Sequence, residues 1–119
     1  VLLAAFALIS SLIDLPLIVD WPNRPRSKVD WEIGKPSTTR WRVLGTLPQA
    51  TRVALEPITG RSHQLRVHLL ALGHPILGDA LYQGEEATPF PRLMLHACRL
   101  TLPHPVHGKL LEFHSPTPF

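Results

Sequence analysis

The sequence predicts an α+β fold, a mainly antiparallel sheet carrying one principal helix. Three observations lead there. Thirteen prolines in 119 residues is about twice the ordinary ~5%. Proline is excluded from helix interiors and central ladders, so strands must be short and connections many. Residues 37–47 alternate Thr, Trp and Val with Arg, the period-two pattern of a half-buried strand. Past residue 62 the period changes. Leu65, Leu69 and Leu72 are spaced four and three apart, and Val67 and Leu70 widen the stripe, which is helix spacing.

The elements follow in order. Residues 1–11 are apolar and uncharged. They are too short for a membrane span of ~20 residues and lack the basic start of a signal peptide. They read either as a buried element of something larger or as an end unrelated to the domain. Residues 12–20 are apolar and β-branched but interrupted by Pro16, which suggests a short or edge strand pair. Residues 21–28 form a turn-rich basic loop. After the strand at 37–47, residues 48–50 turn the chain and 52–57 return it, making an antiparallel hairpin. Ser62 suits a helix N-cap and Gly73 a helix end. Residues 93–102 and 110–114 read as two further strands. The length suits one domain or a piece of one.

The formal charge is +3 with a pI near 9.6, and its distribution is informative. Between positions 35 and 78, the bases Lys35, Arg40, Arg42, Arg52, Arg61 and Arg66 meet a single acid, Glu56. Arg24, Arg26 and Lys28 form a second cluster. The pattern fits an electropositive face toward a polyanion, or the solvated face of ordinary strands. The single cysteine, Cys98, excludes an internal disulfide and fits a reducing compartment. Leu93, Leu95 and Leu100 surround it in sequence, so a buried, inert thiol is expected.

Seven histidines invite a zinc reading, but the spacing does not support one. His63 and His68 are five apart, where the metalloprotease helix needs four, and one cysteine cannot make a Cys-x-x-Cys pair. Ser62 lacks the glycine elbow of a hydrolase nucleophile. No glycine-rich phosphate loop is present. Arg66 needs explaining, because it sits between Leu65 and Val67 within the helix. A buried guanidinium requires a planar anionic partner such as a carboxylate held bidentately; otherwise Arg66 snorkels at the helix edge. His63 and Arg66, three apart, share a helix face near free backbone N–H groups that favour anions.

The run Pro57-Ile58-Thr59-Gly60-Arg61-Ser62-His63-Gln64-Leu65-Arg66-Val67-His68 closely resembles a motif of the RluA-type RNA pseudouridine synthases. Leu72-Gly73-His74-Pro75-Ile76-Leu77-Gly78-Asp79, then Tyr82, then Leu95-His96-Ala97 follow in that family's order. Asp14-Leu15-Pro16-Leu17 and Asp20-Trp21-Pro22-Asn23-Arg24-Pro25 resemble the subgroup that acts on both large-subunit rRNA and tRNA. The resemblance spans residues 12–119 and leaves 1–11 unmatched.

The resemblance implies an isomerase that detaches uracil from its ribose and rejoins it through carbon, using an essential aspartate and neither cofactor nor metal. The target base must leave its stack to be reached. By position, Arg66 is the arginine that pairs with that aspartate, which would lower the carboxylate's pKa and fix its orientation. Arg61, His63, Gln64, Arg40 and Arg42 are candidate RNA contacts, with simple capping or hydrogen bonding open for His63 and Gln64. Leu95 is a candidate wall of the base pocket, or plain core. The implied protein is cytoplasmic, binds RNA, has no membrane partner and is a monomer when complete.

The family's aspartate lies in an Arg-Leu-Asp context upstream. None of Asp14, Asp20, Asp30 and Asp79 has that context, and the family's Tyr-x-Ala strand is missing. The only tyrosine, Tyr82, lies after the helix and is no counterpart of the base-stacking one. The chain therefore reads as the C-terminal part of a synthase whose catalytic carboxylate is elsewhere, inactive alone. A non-catalytic RNA-binding module and an unstable truncation product are the competing readings.

Overall fold

Pro16 divides the first apolar stretch into two strands that enter different sheets. In the computed structural model, which describes residues 11–83 and 90–119, β1 is Ser11–Asp14 and β2 is Leu17–Val19. Apart from Ser11, the apolar segment 1–11 lies outside the described residues. β3 (Ser27–Val29), β4 (Thr38–Thr46) and β5 (Thr51–Pro57) precede the helix α1 (Gln64–Ala71). β6 (Arg99–Pro103) and β7 (Leu110–His114) follow it. Among the described residues every strand pairing is antiparallel, in sheets ordered β1–β4–β5, β2–β3 and β6–β7. The expected class, antiparallel sheets with one helix, is the observed one.

The hairpin β4–β5 has the expected period. Thr39 and Val43 are buried, whereas Arg40 and Arg42 point outward. Val43 pairs with Val53 and Gly45 with Arg52, so a bulge at Leu44 breaks the register. The even positions Arg40, Arg42, Leu44 and Thr46 are exposed on both sides of the bulge, so Leu44 follows the strand's alternation outward.

Three expectations are corrected. Residues 21–28 form more than a loop: a 3-10 turn at Trp21–Asn23 leads into β3, which closes a hairpin with β2. Residues 93–98 are not strand; pairing begins at Arg99. Cys98 is exposed, because it precedes a hairpin whose sides are largely open to solvent.

α1 packs against β3, β4 and β5. Val67 and Leu69 are buried, joined by the polar Gln64 and His68, while Leu72 is exposed. Leu72 drops out of the predicted stripe because the helix ends before it, at a C-terminal motif in which Gly73 N–H reaches Leu70 O and His74 N–H reaches Leu69 O. Gly73 adopts φ +83° there, a left-handed residue satisfying the last carbonyls, as expected of it. Two small apolar clusters flank the helix. Ile13, Leu69 and Ile76 form one, with Trp41, Leu55 and Leu95 packed on it. Leu17, Val67 and Tyr82 form the other.

Candidate active site

A glutamine and a histidine enter the core without penalty because a chain of hydrogen bonds uses their polar atoms. Gln64 Nε2 donates to Thr38 O and Thr39 Oγ1, and its Oε1 accepts from Thr59 Oγ1 and Arg61 N. The amide is thereby saturated. His68, fully buried, has Nε2 2.9 Å from Leu15 O and Nδ1 2.8 Å from Thr39 Oγ1. A carbonyl only accepts, so Nε2 carries the proton and Nδ1 accepts from the threonine. Burial holds the His68 pKa below its ordinary value, against the opposing Leu15 carbonyl and Asp14 charge. Together these bonds tie β1, β4 and the 59–64 turn to α1. Of the two roles open for Gln64, the structure displays hydrogen bonding; the side chain is 3% exposed.

The helix start differs from expectation. Its N-cap is His63, not Ser62, and no side chain caps it. His63 has φ 54° and ψ 22°, a left-handed conformation costing about 1–2 kcal/mol in a non-glycine residue. Ring contacts hold it there. His63 Nδ1 lies 2.7 Å from the Tyr82 hydroxyl, and Arg66 Nη1 lies 3.4 Å from His63 Nε2.

Arg66 does not snorkel. Its Nε donates to Asp79 Oδ2 at 2.9 Å and its Nη2 to Asp79 Oδ1 at 2.6 Å, the bidentate geometry that a guanidinium fork favours. A planar anionic partner for Arg66 thus lies within the chain at Asp79, a residue that the resemblance did not pair with it. The Asp79 side chain is fully buried, while that of Arg66 is 18% exposed. Burial pushes the Asp79 carboxyl up, but hydrogen bonds from Arg66 and from the backbone N–H of Leu81 and Tyr82 outweigh it and leave the pKa lowered. The same pair raises Arg66.

Asp79 is positioned by a close passage of backbone. Gly78 sits at φ +78°, and a Cβ there would run into the carbonyl of Arg92. Tyr82, 3% exposed, completes the group. Its hydroxyl accepts from Ser27 N–H at 2.8 Å, and the guanidinium carbons of Arg26 and Arg66 lie 5.2 and 5.1 Å from its ring centroid. Asp79 and Tyr82 were missed by the site reasoning. Their signal was the spacing Gly78-Asp79-x-x-Tyr82, which places an acid beside a glycine turn.

Above this group lies an open groove of about 280 Å³ lined by Pro57, Arg61, His63, Leu65, Arg66 and Leu95 among others. The structure therefore gathers Arg61, His63, Gln64, Arg66 and Leu95 around one feature. Arg40 and Arg42 are apart, exposed on the outer face of β4, with Arg40 3.5 Å from Glu56. Arg61 is exposed and its Nε donates to Pro36 O. Among the described residues, no group of three or more His, Cys, Asp or Glu could hold a metal ion, and no helix is long and apolar enough to cross a membrane.

The family model described as RNA pseudouridylate synthase matches residues 5–71, more than half of the chain. The dual-specificity RNA pseudouridine synthase RluA of Escherichia coli is 57% identical over 110 residues, 91% of this chain and 50% of that protein. Its namesake from Haemophilus influenzae is 51% identical over 109 residues, 90% of this chain and 50% of its own. The solved human RNA pseudouridylate synthase domain containing 1 superposes with a TM-score of 0.75 at 36% identity, covering 92% of this chain and 49% of that one. The chain spans about half the length of the curated relatives it matches. On the matched region, the identity and the shared fold, this chain belongs to the RNA pseudouridylate synthase family.

Proposed function

We propose that this chain is the C-terminal part of an RNA pseudouridine synthase catalytic domain, residues 12–119, acting on uridine in large-subunit rRNA and tRNA without a cofactor. The observation that carries this reading is the arrangement of Arg66. Asp79 occupies one edge of its guanidinium, His63 Nε2 faces Nη1, and Arg66 also lines the groove. A second carboxylate entering that groove would meet a fixed, desolvated cation, which lowers its pKa and orients it for attack on a flipped nucleotide. Leu95 would form an apolar wall for the base. Arg61, Arg40 and Arg42 would meet phosphates, a sequence-independent and salt-sensitive role. The protein would be cytoplasmic, as the RNA-modifying relatives support, and a monomer when complete.

The reading predicts that the 119-residue chain alone does not isomerise uridine. Fused to the complementary half of the Escherichia coli relative, it should do so, and Arg66→Ala should abolish turnover while retaining much of the RNA affinity. Turnover by the isolated chain, or an active Arg66→Ala fusion, would sink it. The exposed arginines also support a second reading, a non-catalytic RNA-binding module. Its mark would be salt-dependent RNA binding by this chain with a fusion that stays inactive.

A further inference from the structure

Tyr82 is buried, touches three elements and has no part in the reaction proposed above. Its hydroxyl meets Ser27 N–H from β3 and His63 Nδ1 from the helix entrance. The other ring nitrogen of His63 faces Arg66 Nη1. A guanidinium has only donors, so an N–H directed at Nε2 needs that nitrogen unprotonated. The imidazole proton then sits on Nδ1 and is donated to the Tyr82 oxygen, which accepts it together with the Ser27 N–H. The rings meet edge to face, with centroids 5.6 Å apart at 89°.

We propose that Tyr82 is a positioning residue for Arg66: through its hydroxyl it holds neutral His63 in the Nδ1–H tautomer, so that Nε2 accepts from Nη1 and fixes the guanidinium edge that faces the groove. Asp79 fixes the opposite edge. Without the Tyr82 oxygen, Nδ1–H loses its acceptor, and the tautomer with Nε2–H directed at the cation becomes competitive. Arg66 would then keep its ion pair but lose the contact that sets the plane of its free N–H groups. Ser27 N–H also makes Tyr82 the joint between the β2–β3 hairpin, with its basic loop, and the site. The inference rests on the reading of Arg66 as the clamp of a reacting carboxylate.

Tyr82 is the only tyrosine in the sequence, which permits a test that leaves the fold intact. Global incorporation of 3-fluorotyrosine gives one fluorine resonance reporting this hydroxyl. In the 119-residue chain, ring-nitrogen NMR should find His63 protonated at Nδ1 when neutral. The fluorine resonance should follow the His63 titration, and His63→Asn should remove that step. The charged or titrating groups facing His63 are Arg66 and Asp79, with Arg26 on the far side of the tyrosine ring. A neutral His63 protonated at Nε2, or a step that survives His63→Asn, overturns the proposal. In the active fusion, Tyr82→Phe should lower kcat on the order of tenfold to a hundredfold, as a misplaced reacting group does, with KM for RNA little changed. An unchanged kcat overturns the positioning role even if the tautomer is as stated. Failure of the underlying reading looks different: Arg66→Lys would keep full turnover.

Discussion

Between residues 59 and 82, buried Gln64, His68, Asp79 and Tyr82 each bond to partners well away in sequence, Thr39, Leu15, Arg66 and Ser27 among them. In the β6–β7 hairpin, Leu100, Leu110 and Phe113 are 59%, 75% and 54% exposed. There the polar bonds are local: His104 and His107 stack 3.9 Å apart at the turn, and their Nδ1 atoms accept from Val106 and Lys109 N–H. The first region is polar and buried, the second apolar and open. Composition does not decide which is built to hold its shape. A buried polar group is costly only when unpaired, and an exposed leucine contributes little to folding stability. The helix entrance is therefore the more densely bonded of the two regions, and it is also where the groove lies.

Asp79→Ala should break the comparison most severely. It strands Arg66 in a largely desolvated position and removes the acceptor for Leu81 and Tyr82 N–H, a loss of about 3–5 kcal/mol measurable by urea denaturation. A loss below about 1 kcal/mol would mean that the pair is no more than a surface bridge. A smaller effect should appear with pH. His63 titrates below its ordinary value because of burial and then the Arg66 charge, with Asp79 opposing, and His68 does so because of burial. Below about pH 6.5 the unfolded chain therefore binds protons that the fold resists. Stability is complete above that point and declines as pH falls through the lower folded values, with Asp79 adding a further loss at still lower pH. Urea midpoints from pH 8 to 4 would measure it, and His68→Asn should flatten the curve; a midpoint independent of pH would contradict the buried neutral histidines. Smallest of all, Phe113→Ser on the open hairpin should change the stability of this chain by about 0.5 kcal/mol or less. A larger loss would show that the hairpin contributes to the core after all.

The sequence was legible wherever chemistry is periodic or local. Alternation predicted β4 and β5, helix spacing predicted α1, and Gly73 predicted its end, because each depends on neighbours within one or two turns. It misled where tertiary contacts override local preference. Ser62 has the better capping chemistry, yet His63 takes the cap because Tyr82 and Arg66 hold its ring. Leu72 continues an apolar stripe that the Gly73 motif has already ended. Cys98 has apolar neighbours in sequence but precedes a hairpin that covers little.

By itself, the sequence determined the family, the β4–β5 hairpin with its following helix, and the choice for Arg66 between a planar anion and snorkelling, since a guanidinium inside an apolar helix admits few solutions. Only the tertiary structure decided which anion serves. Asp79 is thirteen residues away, beyond any helical spacing. It returns to Arg66 because Gly73 ends the helix and Gly78 allows the backbone to pass against Arg92. Which carboxylate meets a buried cation is a matter of chain path: Gly73 was legible as the helix end, but no local pattern in Arg66's own helix records the return of the chain at Gly78.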